Sequence, residues 1–188
     1  MSEFEQAGEP VAIRLDSREI YAGRVFTLYA DTVRMPNGHE TRVDVLRHPG
    51  AACILPLTAA GDVLLVRQYR YCTDGWMLEV PAGTLEAGEA VEACAAREIE
   101  EEAAVRAAHL EPLGYVWTTP GFTSERIWMF LATGLSASAQ HLDADETMHV
   151  ERLPFARAVE MAEHGEIVDA KSVCTLLRAA AHLRRRGR

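Results

Sequence analysis

Three glutamates, Glu98, Glu101 and Glu102, are the residues of this sequence best suited to do chemistry. Their spacing of i, i+3 and i+4 places all three on one face of a helix. There Glu98 and Glu102 repel each other by roughly 0.2–0.5 kcal/mol, and negative charge near the end of a helix opposes its macrodipole. Such conflicts with local preference collect at functional sites, where a bound partner compensates for them. Carboxylate oxygens suit Mg²⁺ or Mn²⁺, and Mg²⁺ usually accompanies substrates that carry phosphate.

A solvated helix face is the alternative interpretation, and for an isolated Glu-rich helix it is the favoured one. The flanking residues change the balance. Gly83, Glu89 and Arg97, together with the three glutamates, reproduce the pattern G-x5-E-x7-R-E-U-x-E-E-x-G-U, where U is aliphatic, at every position but one. This pattern is the Nudix box, and the chain therefore resembles the Nudix hydrolases.

Ala104 is the one departure, because the box has Gly at this position. Many helices end with a residue in the left-handed conformation, and Gly adopts this conformation readily. Since Ala in that conformation costs roughly 1 kcal/mol or more, we expect this helix to end differently. The replacement removes no carboxylate, so we interpret it as tolerated.

The composition fits one sizeable core. The chain has 188 residues, 48% of them hydrophobic, and a formal net charge of −9. Acidic chains bind nucleic-acid backbones poorly, and the basic run at residues 183–188 fits a solvated helix end, so we expect no nucleic-acid partner. The four cysteines lack C-x-x-C spacing, and no apolar run reaches membrane-spanning length. We therefore expect no disulfide framework, no zinc site, no membrane partner and a cytoplasmic location.

Three regions are predicted along the chain: a flexible N-terminus at residues 1–10, an N-terminal β subdomain at 11–48 and a catalytic domain at 49–188. The second region alternates strand-favouring residues around the Pro-Asn-Gly turn at 36–38, which is a strong hairpin signal. It is predicted to be a small antiparallel sheet.

The third region interleaves strands and helices. Its first helix is predicted at residues 89–103, where Val91, Ala95 and Ile99 form an apolar stripe. The other predicted elements are strands at 51–57, 63–69, 76–80, 113–119, 126–133 and 148–153, and helices at 155–163 and 170–183. This order predicts an α/β (α+β) fold. The resemblance implies a Nudix-type α-β-α sandwich with a mixed sheet, preceded by the small antiparallel sheet.

Stretches outside the box resemble the ADP-ribose pyrophosphatase branch of the family, namely residues 66–70, 79–83, 119–125 and 164–171. Pro120, about fifteen residues beyond the box, is one of these features, although Pro-Gly is also an ordinary turn. The resemblance implies hydrolysis of ADP-ribose to AMP and ribose 5-phosphate with two or three Mg²⁺ ions, with Mn²⁺ as a substitute. Other nucleoside diphosphate sugars need nearly the same features.

The resemblance also implies a ligand set. Glu98, Glu102 and the backbone carbonyl of Ala82 map to metal ligands, and Glu101 to a further ligand or a residue that positions water. Arg97 is expected to hold a neighbouring carboxylate in place rather than to contact the substrate.

The catalytic base is expected in the acidic loop at residues 141–147. The branch often carries two glutamates two residues apart, and the alignment places Ala144 on the first and Glu146 on the second. Glu146 is therefore the leading candidate for base or third-metal ligand, with Glu101 as the alternative. A merely solvated acidic loop is an equally good interpretation of this stretch.

Substrate contacts are predicted on both sides of the box. Arg70 suits a phosphate or the adenosine, because guanidinium binds phosphate oxygens bidentately, and Glu125 is assigned to the ribose. The resemblance implies that the N-terminal sheet forms a homodimer and completes the adenosine pocket. The candidates there are an aromatic ring to stack on adenine and an arginine to reach a phosphate: Phe26, Tyr21, Arg42 and Arg47.

Two rival functions are also compatible with the sequence. A sensor that binds a nucleotide without cleaving it is favoured by Ala104 and Ala144, but the intact glutamates of the box argue against it. A pyrophosphatase for damaged nucleoside triphosphates is the other rival, and the long N-terminal sheet argues against that one.

Overall fold

The computed structural model describes residues 9–142 and 146–187. These residues form two compact units, each described here by itself. One contains the described residues up to His48 together with Thr119–Ser124, and the other contains Pro49–Thr118 and the described residues from Glu125 onward. Most of the segment predicted to be flexible, residues 1–10, lies outside the described part of the chain.

The first unit is a three-stranded antiparallel sheet in the order β1-β2-β3, as predicted. Its strands are β1 (Ile13–Ala22), β2 (Thr27–Arg34) and β3 (Glu40–Arg47). The predicted hairpin is confirmed: Gly38 has φ 85°, and its amide donates to the Met35 carbonyl at 2.8 Å. Every residue of β1 is exposed, so one edge of this sheet is open.

The second unit contains two further sheets. A four-stranded mixed sheet in the order β7-β4-β9-β8 pairs β4 with β9 in parallel, while its other neighbours are antiparallel. The remaining strands form a three-stranded antiparallel sheet in the order β10-β5-β6. The strands are β4 (Ala51–Pro56), β5 (Asp62–Arg70), β6 (Gly75–Glu79), β7 (Ala82–Thr84), β8 (Val105–Trp117), β9 (Arg126–Ala137) and β10 (Met148–Pro154).

The described residues form three helices: α1 (Val91–Ala103), α2 (Phe155–Glu163) and α3 (Ala170–Arg185). Helices α1 and α3 pack against opposite faces of the mixed sheet, while α2 packs against α3 and against the strands β5 and β10. Alternate residues of β4 supply the two cores, because successive side chains of a strand point to opposite faces. Ile54 packs in a cluster with Ile99 of α1, whereas Leu55 packs in a cluster with Leu176 of α3. The predicted α-β-α sandwich is confirmed. No helix in the described part of the chain has the length and apolar character needed to cross a bilayer.

Strand β8 begins eight residues earlier than predicted, at Val105 instead of 113. The alanines at its start have little strand propensity, and Pro112 argues against a central strand. Both are tolerated because β8 is an edge strand with an irregular register between Pro112 and Gly114. Pairing with β9, which continues to Ala137, outweighs the local preference.

The expectation that α1 ends without a left-handed residue is wrong. Ala104 has φ 55° and ψ 34°, and its amide donates to the Glu100 carbonyl at 3.2 Å. The chain holds it there because β8 starts at the next residue, and the Ala104 carbonyl accepts a hydrogen bond from the Ser138 amide at 2.8 Å. Tertiary pairing thus imposes the conformation that glycine would adopt without strain.

Candidate active site

Two carboxylates of α1, Glu98 and Glu102, are buried, with exposed fractions of only 7% and 2%. Burial raises the pKa of Glu98 to about 7, although the Arg97 guanidinium opposes this. Burial raises the pKa of Glu102 to about 8, which outweighs a hydrogen bond from the Ala82 amide. The charge of Glu146 raises both pKa values further, so the structure brings Glu146 within electrostatic range of this pair.

Gly83 of β7 makes room for one of these carboxylates. A Cβ atom at residue 83 would lie 1.8 Å from Oε1 of Glu98, so this carboxylate would have to move. One residue earlier, the Ala82 amide donates to Oε2 of Glu102 at 2.9 Å. The glycine at the start of the box is therefore required for the acidic face of α1 to lie directly against the backbone of β7.

Arg97 links residues from the start and the end of the box. It donates from Nε to Glu89 at 3.0 Å, and from Nη1 to Glu98 at 2.5 Å and to Glu101 at 3.0 Å. It also donates to the Thr84 carbonyl at 3.3 Å. Hydrogen bonds from Arg97 lower the pKa of Glu89 to about 2, so Glu89 is an ionised anchor for the guanidinium. These contacts agree with a positioning role for Arg97, which stays a prediction.

The chemistry of the donor atoms fits a hard divalent cation. Buried carboxylates with raised pKa values bind either protons or a cation, and oxygen ligands suit Mg²⁺ or Mn²⁺. Within the ranges that the structure describes, however, no three His, Cys, Asp or Glu side chains already converge on one point. Instead, the Arg97 guanidinium lies against Glu98 and Glu101. The predicted ligand set stays a prediction: Ala82 by its carbonyl, Glu98, Glu101, Glu102 and Glu146.

Glu146 is the first residue of the described range 146–187 and lies two residues before β10. The following residue, Thr147, accepts a hydrogen bond from the Tyr69 amide at 3.0 Å, and Met148 pairs with Gln68. The C-terminal end of the acidic loop is thus attached to β5. Ala144, on which part of the sensor interpretation depends, lies outside the described residues. The choice between Glu146 and Glu101 as base stays a prediction.

Arg70 is held by a carboxylate that the sequence reasoning missed as a functional group. Its Nε and Nη2 atoms donate to the two oxygens of Glu79 at 2.8 and 2.7 Å. Glu79 is 1% exposed and also pairs with Lys171. Burial alone would raise the pKa of Glu79, but the two cations lower it. The sequence did contain a signal for this role, because Glu79 is the one charged residue in the otherwise apolar run at 76–80.

The other predicted substrate residues are divided between the two units. Glu125 belongs to the second unit, directly before β9, and accepts a hydrogen bond from the Thr118 hydroxyl at 2.7 Å. In the first unit, Arg47 pairs with Asp31 at 2.9 Å and stacks over the ring of Tyr29. The first unit also contains the exposed side chains of three further candidates: Tyr21, Phe26 and Arg42. Their roles at the site stay predictions.

The family model of the NUDIX domain matches residues 46–176, and that of the nucleoside diphosphate sugar hydrolase N-terminal domain matches residues 13–42. An ADP-ribose pyrophosphatase of Bacillus subtilis (strain 168) is 36% identical over 156 residues, covering 82% of this chain and 84% of that protein. A methanol dehydrogenase activator of Bacillus methanolicus is 35% identical over 161 residues, covering 85% of this chain and 87% of that protein.

A solved structure described as an ADP compounds hydrolase shares the fold, with a TM-score of 0.82 at 22% identity, covering 95% of this chain and 97% of that one. The family model extends over most of the chain and includes the glycine, the arginine and the glutamates described above. The chain is therefore a Nudix hydrolase and belongs to the ADP-ribose and nucleoside diphosphate sugar pyrophosphatases of that family.

Proposed function

We propose that this enzyme is a Mg²⁺-dependent pyrophosphatase that hydrolyses ADP-ribose to AMP and ribose 5-phosphate. The observation that carries the proposal is the buried pair Glu98 and Glu102, held against Gly83 with raised pKa values. Ionising this pair in the folded protein is costly unless a cation joins it. The name of the Bacillus subtilis relative supports the choice of ADP-ribose.

In this reaction the oxygen of a water molecule forms a bond to one phosphorus of the diphosphate, and the bridging P–O bond breaks. Bound Mg²⁺ would neutralise the diphosphate and lower the pKa of the attacking water. Glu146, or Glu101 in its place, accepts the proton of that water. Arg70 binds a phosphate oxygen, and its attachment to Glu79 fixes the plane of the guanidinium.

We also propose that the first unit forms a homodimer. Its strand β1 is exposed along its whole length, including the apolar side chains of Ile13, Leu15 and Ile20. Open sheet edges with apolar side chains are templates for pairing with another chain. In such a dimer Phe26 and Arg42 complete the adenosine pocket of the partner. Size-exclusion chromatography with light scattering tests this, and a monomer contradicts it.

The cytoplasm is the proposed location, because all four cysteines are free in the structure and reducing compartments keep thiols in that state.

A specific observation supports one further substrate class: the N-terminal residues match the nucleoside diphosphate sugar hydrolase domain, whose name does not single out ADP-ribose. Hydrolysis of another nucleoside diphosphate sugar is therefore the second candidate.

A hydrolysis panel tests the proposal. ADP-ribose, ADP-glucose, GDP-mannose, NADH and 8-oxo-dGTP are each incubated with Mg²⁺, and nucleotide products are separated by chromatography. Glu102→Gln is the blank, and Glu92→Gln on the exposed side of the same helix is its matched control. Selective release of AMP from ADP-ribose supports the proposal. Faster cleavage of another sugar nucleotide supports the second candidate. Tight binding of ADP-ribose without any cleavage supports a sensor.

A further inference from the structure

The first turn of α3 contains a buried cation that the proposed mechanism does not use. Lys171 is 11% exposed on its side chain, and its Nζ atom pairs with Glu79 and, at 3.0 Å, with Asp169. Burial would lower the pKa of Lys171, but these two carboxylates raise it, so the ammonium is charged. A buried charge of this kind is retained only where its partners are fixed in place.

The same turn is attached to the backbone that leads into the box. Asp169 begins α3 by accepting a hydrogen bond from the Ser172 amide at 3.0 Å. The Ser172 hydroxyl in turn accepts a hydrogen bond from the Val80 amide at 2.8 Å. Two residues further on, the Ala82 amide donates to Glu102 of α1. Residues 79–82 are therefore attached to α3 on one side and to α1 on the other.

We propose that Lys171 is a positioning residue for the catalytic site: it holds Glu79, and through Glu79 and Asp169 it aligns both Arg70 and the segment that carries Ala82. The inference rests on the proposed function, in which Arg70 contacts phosphate and the Ala82 carbonyl binds the metal. The single charge of Glu79 serves two neighbouring cations: its Oε1 atom accepts a hydrogen bond from Arg70, and its Oε2 atom accepts from both Arg70 and Lys171. Removing Lys171 leaves Arg70 free to draw this carboxylate toward itself and away from α3.

The position of Lys171 distinguishes this role from general stabilisation. Its ion pair joins residues 92 positions apart in the sequence, and its partner Glu79 also binds Arg70. Arg70 and Lys171 are also each close enough to Glu102 to interact electrostatically with its carboxylate. A residue that only stabilised the fold would change the melting temperature but not kcat measured well below it.

The test compares Lys171→Met, which keeps the apolar stem, with Arg157→Met on α2. Arg157 is a matched control because it also pairs with two carboxylates, Glu160 and Glu166, but on the exposed surface. We expect kcat of Lys171→Met to fall about 100-fold, the loss associated with a misplacement of about 1 Å, and the Mg²⁺ concentration for half-maximal rate to rise. Arg157→Met should stay within about twofold of the wild type.

Hydrogen exchange provides a readout that does not depend on activity. In Lys171→Met, the amides of Val80 and Ala82 should exchange at least about tenfold faster, because the segment that carries both amides is no longer held to α3 through Glu79. Normal exchange at these amides together with normal kcat would overturn the proposal. If the wild type cleaves nothing in the panel, the proposed function fails, and exchange and Mg²⁺ binding by calorimetry still decide the role of Lys171.

A second variant covers the case in which Lys171→Met does not fold. Glu79→Gln/Lys171→Met removes both buried charges, and replacing both partners is milder than removing one. The double variant should fold and still show reduced kcat and faster exchange, because Arg70 has lost its ionised partner. A folded double variant with wild-type kcat and exchange would assign Lys171 a purely stabilising role.

Discussion

Replacing Glu102 by Gln should make the metal-free protein more stable while abolishing hydrolysis. The change keeps the size of the side chain and an oxygen that accepts the hydrogen bond from the Ala82 amide. It removes a carboxyl group that is 2% exposed and whose pKa is raised to about 8, chiefly by burial. The charge that the function requires is therefore one that the fold opposes.

The sign of the effect follows from the direction of the shift. The pKa of Glu102 in the folded protein, about 8, lies above the ordinary value of 4.5. Below pH 4.5 the group is protonated in both states and contributes nothing. Between these values the unfolded chain has lost its proton and the folded chain has kept it, so each pH unit favours unfolding by about 1.4 kcal/mol. From pH 6 to pH 8 the folded state therefore loses roughly 2 kcal/mol.

Differential scanning calorimetry in EDTA measures this loss. For a chain of this length, 1 kcal/mol shifts Tm by about 2–4 °C. The Tm difference between Glu102→Gln and the wild type should therefore widen by roughly 4–8 °C between pH 6 and pH 8. Glu92→Gln replaces the same type of side chain at an exposed position of α1 and is the matched control.

Two results would refute this reasoning. A Tm difference that is constant between pH 6 and pH 8 would mean that Glu102 is ionised throughout that range. A variant that responds to Mg²⁺ as strongly as the wild type would mean that Glu102 does not bind the ion. The wild type itself should gain more Tm from Mg²⁺ at pH 8 than at pH 6, because protons compete with the metal at the lower pH.

Three further substitutions test separate parts of the site. Gly83→Ala should lower kcat at least about 100-fold with the fold retained in circular dichroism, since its methyl group would displace Glu98; Gly75→Ala, with only ordinary contacts, is the control. Ala104→Gly should raise the free energy of unfolding, measured by urea denaturation, by about 1 kcal/mol without affecting hydrolysis. An unchanged midpoint of the urea transition would contradict the strain inferred from φ 55°. Glu146→Gln should lower kcat far more than KM, whereas an unchanged kcat would assign the base to Glu101.

The sequence pattern predicted those elements that residues close together in the chain specify. The apolar stripe of α1 and the hairpin of the first unit need only neighbouring residues, and both are confirmed. The start of β8 was missed because its first residues have little strand propensity of their own. They form a strand because β9 offers a partner along its whole length, and no pattern within β8 encodes that partner.

The acidic face of α1 was predictable from spacing, but the cost of its burial was not. Spacing places Glu98 and Glu102 together, while their raised pKa values depend on the layers that cover them. The attachment of Arg70 through Glu79 to Lys171 was likewise beyond sequence reasoning. It joins the end of β6 to the start of α3, and only the folded chain brings these charges together.

Two features of α1 destabilise the fold, and they have different relations to function. The buried carboxyl group of Glu102 lies at the candidate site, whereas the left-handed Ala104 contacts backbone groups of Glu100 and Ser138 instead. Glu102→Gln and Ala104→Gly should both raise stability, but only the first should abolish hydrolysis. If Ala104→Gly also impaired hydrolysis, the end of α1 would have to be part of the site. If it did not, the strain at Ala104 would be a departure from the box that the fold tolerates through the pairing of β8.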